Sequence, residues 1–388
     1  IRDTSVTGVQ TCALPILPIR RPSMVAAGHW RDITINDSLD EAVATNGDGL
    51  ALAATQFDSG DVRSFTYNEL NAMVSRVAVG LYRLGIRPSD VVAVQLPNWW
   101  EFTVTHLACA RIGAVTNPLM HIFRERELEF MLNHGEAVAA IIPSTFRGHD
   151  FAAMYDDIRS KVPSLEHIIA IGDEGSSGFE ALLSGPTWEN ETDAESILTG
   201  NRPSADDVTQ LIYTSGTTGE PKGVMHSANT MYSNILPYAE RLNLDSNDVV
   251  LMASPMAHQT GFMYGLMMPV VLGCPAVILD VWDAPTAISI VKMTVVQTNQ
   301  YVRTLMRMGM GSLSPKIVMI PMPYNIRMES KSVIKKTTIV MERLMSARPT
   351  RSHSMLIAML TPLALVSRCM NAMHRLVMSE AIQIVMTT

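Results

Sequence analysis

The sequence predicts an α/β fold in which stacked parallel sheets are flanked by helices. Two observations predict it. From about Trp30 to Val291, short apolar runs alternate with helical stretches, the order of βαβ units whose sheet is covered on both faces. The chain has 388 residues, 47% of them apolar, which is enough for a sizeable core in more than one α/β unit.

The opening, "IRDTSVTGVQTCALPI", has no period and no continuity with the patterned region after it. It resembles adapter-derived sequence or else a disordered leader, and residues 1–16 are set aside from the fold. Thr66 with Glu69 three residues later is a capping box. Leu70, Met73, Val74, Val77, Leu81 and Leu84 then recur at helical spacing until Gly85 stops the helix. "VVAVQL", Val91 to Leu96, reads as a strand. The next helix has Asn98 and Glu101 at its start and Gly113 at its end. "AVTNPL" and "AVAAIIP" are two more strands, with the helix "RERELEFMLNHG" between them.

Further on, "TQLIYT", Thr209 to Thr214, is a strand, and "GVMHS" after the next loop is another. A helix near Asn229 to Leu242 and a strand from Asp248 to Pro255 come next. "GFMYGLMMPVVLGCPAVIL" is uncharged, about the length of a membrane span. Pro269, Gly273 and Pro275 interrupt it, so it reads as a buried helix to about Leu272, a turn and a buried strand. Residues 30–205 are expected to form a first α/β subdomain and 206–291 part of a second.

Composition breaks near Lys292. Residues 293–388 hold 15 of the 27 methionines and only three acids against 12 Lys and Arg, with no Gly after Gly311. An α/β unit needs glycine at turns and helix ends, and methionine specifies packing poorly. Residues 292–388 therefore read as a frameshifted or disordered tail, against the alternative of a basic, Met-rich helical domain.

The net charge of −7 and the lack of a basic stripe before that break argue against nucleic acid as the main partner. The four cysteines form no C-x-x-C pair and no metal spacing; they read as reduced thiols of a cytoplasmic protein.

The loop "TSGTTGEPKG" carries the chemistry. Polyphosphate needs closely approaching backbone N–H groups, hydroxyl donors and a cation. Gly216 and Gly219 permit the approach, Thr214, Ser215, Thr217 and Thr218 supply hydroxyls, and Lys222 the cation. It comes after a strand, so it should lie at the carboxyl edge of a sheet. It is not a Walker A loop, because Pro221 precedes the lysine and Gly223 and Val224 lie beyond it in a strand. A flexible Ser/Thr/Gly linker is the bland alternative, but linkers do not usually sit between two apolar strands.

These residues carry a resemblance. "YTSGTTGEPKGV" resembles the phosphate-binding signature of the adenylate-forming superfamily of acyl-CoA synthetases, luciferases and peptide-synthetase adenylation domains. "FTYNELNAMVSRVAVGLYRLGIRPSDVVAVQLPNWWEFTVTHLACARIGAVTNPL" resembles its first core region. "MASPMAHQTGFMYG" resembles the next conserved region, where a His or aromatic residue borders the acyl pocket. The resemblance covers about Trp30 to Val291 and implies the large N-terminal domain of such an enzyme, truncated.

The implied reaction has two halves. A carboxylate attacks the α-phosphate of ATP with Mg²⁺, giving an acyl-adenylate and pyrophosphate; the thiol of CoA then displaces AMP. Thr214 to Lys222 would grip the β- and γ-phosphates, with Lys222 and Thr214 the catalytic pair. His258 would gate the acyl pocket, with Gly261 and Phe262 near its wall. Taken alone, His258 would more simply be a satisfied core histidine. "HWRDITINDSLDEAV" and "SPMAHQTGFMYGLMMPVVLGCPAVILDVWD" most resemble the branch of cyclohexanecarboxylate-CoA ligase and related medium-chain or alicyclic acid ligases, which implies an acyl group of that kind.

The later Tyr-Gly-x-Thr-Glu and Thr-Gly-Asp motifs and the hinge to a mobile C-terminal domain are not found in the sequence. The expectation is a ligase by descent that makes no acyl-CoA as written. The alternatives are a non-catalytic nucleotide-binding fragment and a peptide-synthetase adenylation domain.

Overall fold

The computed structural model describes residues 17–214, 221–290, 293–294 and 317–320. The expected leader, residues 1–16, lies outside the described residues, as does most of the 292–388 zone. In chain order the elements are α1 (Leu17–Ala26), α2 (Ile35–Asn46), β1 (Leu50–Gln56), β2 (Asp61–Thr66), α3 (Tyr67–Arg83), β3 (Val91–Val94) and α4 (Trp100–Arg111). Next are β4 (Val115–Pro118), α5 (Glu125–His134), β5 (Ala137–Pro143), the short pair β6 (Thr145–Phe146) and β7 (His149–Asp150), α6 (Phe151–Arg159) and β8 (His167–Ile171). After a π-helical turn at Glu180–Ser184 and a 3-10 turn at Trp188–Asn190 come α7 (Ala194–Gly200), β9 (Val208–Thr214), β10 (Lys222–Ser227), α8 (Ala228–Leu242) and β11 (Val249–Met252). A π-helix at Gly261–Met267 runs into α9 (Met268–Leu272), succeeded by β12 (Ala276–Leu279) and β13 (Ile317–Ile320).

Two sheets carry the fold. One has the order β13-β11-β12-β1-β2, parallel except for the β1–β2 hairpin. The other has the order β10-β9-β4-β3-β5-β8, parallel except for the β9–β10 hairpin. The side-chain period of two is visible in the first sheet. Leu52, Val250 and Ile278 face the main core, while Ala53, Leu251 and Val277 face a second cluster with Ala287 and Ile290. Both faces are covered, which is why these strands read as continuous apolar runs.

Local signals fix the helices. Thr66 accepts from the Glu69 amide and the Glu69 carboxylate accepts from the Thr66 amide, so the expected capping box starts α3. α4 is different. Its cap is Trp99, with no side-chain cap bond, and every residue from Glu101 to Arg111 is buried. It packs against α2, α3, β1, β3 and β4, and is therefore an interior helix despite its polar residues.

The division at 205/206 is not a sheet boundary. β1 and β2, from the first segment, pair in one sheet with β11 and β12 from the second, while β9 and β10 complete the sheet of β3 to β8. Strand pairing is non-local here, and hydrophobic periodicity carries no information about which strand a distant one meets. Within the zone read as tail, Ile317–Ile320 forms β13 and pairs parallel with β11. Among the described residues, no helix is long and apolar enough to cross a membrane, so Gly261 to Leu279 is the buried helix, turn and strand that its prolines suggest.

Candidate nucleotide and acyl site

β9 and β10 are the stems of the glycine-hydroxyl loop. They pair antiparallel and end with Thr214 opposite Lys222, the Thr214 hydroxyl 3.5 Å from the Lys222 carbonyl oxygen. Because β9 runs parallel to β4, the loop leaves from the carboxyl edge of that sheet. Thr214 is exposed and Lys222 half-buried. Ser215, Gly216, Thr217, Thr218 and Gly219 lie outside the described residues. The stem below them is anchored: the Tyr213 hydroxyl donates to the Met131 carbonyl at 3.0 Å and lies 2.9 Å from Nδ1 of His134, both on α5.

The second stretch leaves the carboxyl end of β11. His258 is exposed, so it is not a core histidine. Its Nδ1 accepts from the Thr260 amide at 3.3 Å, and its carbonyl accepts from the Phe262 amide at 2.9 Å. Gly261 is buried at the start of the π-helix. A Cβ there would stand 2.2 Å from the Pro255 carbonyl oxygen. Phe262 is fully buried, its ring 4.5 Å from that of His106 and 6.4 Å from that of Phe102.

Two ties hold these pieces together. Asn98, read from sequence as a helix start, is instead a buried cross-link. Its Nδ2 donates to the carbonyls of Ser254 (2.9 Å) and Leu279 (3.1 Å), and its Oδ1 accepts from the Met256 amide (2.8 Å). It lies just past β3 of one sheet and grips the chain leaving β11 and β12 of the other, so the carboxyl edges of both sheets meet at this amide. Beside it, Trp99 Nε1 donates to Asp280 at 3.1 Å, and Asp280 also accepts from the Phe57 amide. The second tie joins the continuations of the two stretches. Tyr264 of the π-helix donates to Asn234 of α8 at 2.6 Å, and its ring stacks on Tyr238 at 4.1 Å.

Sequence reasoning missed Asn98, Asn234, Tyr238 and Tyr264 as site-forming residues. Asn at a helix start is also a common cap, so residue type alone could not separate the two roles for Asn98. Asn98→Ala is expected to lower stability by about 2 kcal/mol, because it leaves two carbonyls and an amide buried without their partner. The urea midpoint measures it; an unchanged midpoint would remove Asn98 from the frame of the site.

The medium-chain fatty-acid–CoA ligase of Escherichia coli is 30% identical over 273 residues, 70% of this chain and 47% of that protein. The benzoate–CoA ligase of Thauera aromatica is 30% identical over 230 residues, 59% of this chain and 41% of that one. Among solved structures, apo MbtA of Mycobacterium smegmatis is 27% identical with a TM-score of 0.56, covering 73% of this chain and 49% of that one. A long-chain-fatty-acid–CoA ligase of Archaeoglobus fulgidus, 24% identical with a TM-score of 0.56, shares the fold over 67% of this chain and 50% of that one. The chain thus spans about half the length of the curated relatives it matches. The family model of the AMP-binding enzymes matches residues 39–357, past the Val291 limit of the sequence resemblance. By this match over most of its length, the chain belongs to the AMP-binding enzyme family.

Proposed function

We propose that the chain is part of an ATP-dependent acid–CoA ligase. Its loop at 214–222 receives the polyphosphate of ATP, and the stretch from His258 borders the carboxylic acid. One observation supports the reading: β9 and β10 end with Thr214 opposite Lys222 at the carboxyl edge of a parallel sheet, the two strand ends that the glycine-hydroxyl sequence joins.

In the reaction, the acid's carboxylate oxygen bonds to the α-phosphorus and pyrophosphate leaves. The CoA sulfur then bonds to the acyl carbon and AMP leaves. Negative charge moves onto the departing phosphate oxygens, where loop amides, the Thr214 hydroxyl and the Lys222 ammonium would stabilise it. His258, exposed beside the Gly261 turn, would gate the entry of the acid. Gly261 and Phe262 would shape the wall behind it, Phe262 from within the core.

Mg²⁺ belongs to the proposal as the ion ATP brings with it. Among the described residues, no group of three His, Cys, Asp or Glu could hold a metal, and no step is routed through one. A cytoplasmic setting belongs to the same proposal, supported by Cys109 and Cys274, which are buried and unpaired. An alicyclic or medium-chain acid is the acyl group favoured.

Calorimetry with ATP and with a non-hydrolysable acyl-adenylate mimic tests the reading. Binding is expected, and Lys222→Ala should weaken it tenfold or more, the worth of one charge-assisted contact. Wild-type protein that takes up neither ligand would overturn the proposal.

A further inference from the structure

A cavity of about 250 Å³ lies away from the residues of that site, between β2, α3, the start of α4 and the chain just past β8. None of its lining residues belongs to the hairpin or to the His258 stretch. Trp100 and Phe179 form an aromatic corner, their rings 6.1 Å apart and nearly perpendicular, and Met73 and Ile171 extend the apolar wall. At the corner stands Glu101, a carboxyl 4% exposed, whose Oε2 is buried and has no hydrogen-bond partner among the described residues. A buried carboxyl oxygen without a partner costs free energy that a fitting donor would recover.

The charges decide what kind of donor. The cavity is also lined by Arg63 on β2, Arg76 on α3, Asp173 after β8 and Glu180 on the π-helical turn. Arg76 is already engaged: Glu189 accepts from its Nη2 at 2.6 Å and from its Nε at 2.9 Å, and the Ser184 carbonyl accepts from Nη1 at 3.1 Å. Arg63 lies over the rings of Phe65 and Trp100, 5.1 and 5.4 Å from their centroids. Asp173 already accepts from the Gly175 amide at 2.8 Å and the Ser177 hydroxyl at 3.1 Å, and Glu180 is exposed, so with Arg76 neutralised by Glu189 the buried carboxyl left to a ligand is that of Glu101, with Arg63 the remaining lining cation. Size decides the rest. A cavity of about 150 Å³ holds a benzene, so this one accommodates a single ring with a short arm and excludes a nucleotide.

We propose that this cavity is a second small-molecule site, specific for a one-ring organic amine whose ammonium donates to Glu101 and whose ring packs against Trp100 and Phe179. The site is independent of the ligase reading. It has a proton signature. Burial pushes the Glu101 carboxyl up to about 7, against the weaker pull of its own amide and of Arg63. An arriving cation favours the ionised carboxylate, so the carboxyl gives up its proton to solvent as the amine binds.

The test is calorimetric titration of the full chain at pH 7 with benzylamine, in two buffers of different protonation enthalpy, with benzyl alcohol and benzoate in parallel. Saturable 1:1 binding of the amine is expected, with release of about half a proton, since a carboxyl titrating near 7 is about half protonated there. Benzyl alcohol should bind at least tenfold more weakly. Glu101→Gln should remove both the amine binding and the proton release while the protein still unfolds cooperatively. Arg63→Met should bind the amine at least as tightly, because a neighbouring cation is gone. The proposal is overturned if the alcohol binds as well as the amine or if no saturable heat appears. It is equally overturned if the amine binds without proton release, or if benzoate binds and Arg63→Met abolishes that binding.

Discussion

Alanine at position 261 is expected to cost about 3 kcal/mol of stability, the upper end of what overpacking a core costs. The opposing effect is helix propensity, which would favour alanine over glycine inside a helix by about 1 kcal/mol. Geometry decides between them. The added methyl would sit 2.2 Å from the Pro255 carbonyl oxygen and 2.6 Å from that of Ser254. Those are backbone atoms, and Ser254 is held by Asn98, so the clash cannot be relieved by rotating a side chain. The loop carrying His258 must move instead. Gly265→Ala meets a similar obstacle: its methyl would lie 2.3 Å from Met252 Cγ and 2.8 Å from Met252 Cβ, and no rotation about χ1 moves that Cβ, which is fixed by the backbone of β11. It too should cost about 1–3 kcal/mol. Urea unfolding of the two variants measures both. A Gly261→Ala protein as stable as its parent would mean that the loop is not pinned from below.

The glycine at 261 illustrates what the sequence could and could not convey. Its position in "MAHQTGFMYG" singled it out as part of the acyl-pocket region, whereas its steric role under Pro255 is visible only in the fold. Signals confined to a few neighbouring residues were legible: the Thr66–Glu69 box, the apolar spacing of α3, and the strand–loop–strand grammar around the hairpin. Interactions between distant segments were not. Nothing in "LALAATQ" shows that β1 lies beside β12, more than 200 residues away, or that Asn98 answers three backbone groups of another sheet. Both are consequences of burying unpaired polar and apolar surface at once, which no local window computes. The same holds for Glu101. At a helix start it reads as a favourable dipole partner, yet the fold buries it in the wall of a cavity.

Two buried groups should leave opposite marks on the pH dependence of stability. Burial raises Glu101 from the usual 4.5 to about 7, so the native state holds its proton more tightly than the unfolded chain does. Its contribution is complete below pH 4.5 and is lost as pH rises through 7, a fall of about 3 kcal/mol. His106 is the reverse. It is fully buried, with Nδ1 2.9 Å from the Thr116 hydroxyl and Nε2 3.3 Å from the Met267 sulfur, and burial lowers it from 6.5 to about 3. Its contribution is complete above pH 6.5 and is lost as pH falls toward 3, by about 5 kcal/mol. Other groups titrate in the same range, among them His121, lowered to about 4 by burial and by Arg147 and Arg124. The marks must therefore be read as differences from the wild type at each pH, in which those groups cancel. Glu101→Gln should gain on the wild type steadily from pH 4.5 to 7 and hold its lead above. His106→Leu should lose stability near neutrality, where Thr116 is left without its partner, and recover as the solution is acidified below 6.5. Urea midpoints at half-unit steps of pH resolve both slopes. Between pH 4.5 and 6.5 the two losses oppose each other with equal slope, so removing either group alone leaves the other's slope uncompensated. Variant curves that run parallel to the wild type would mean that neither side chain is shut away from water, and the interior placement of α4 would then be wrong.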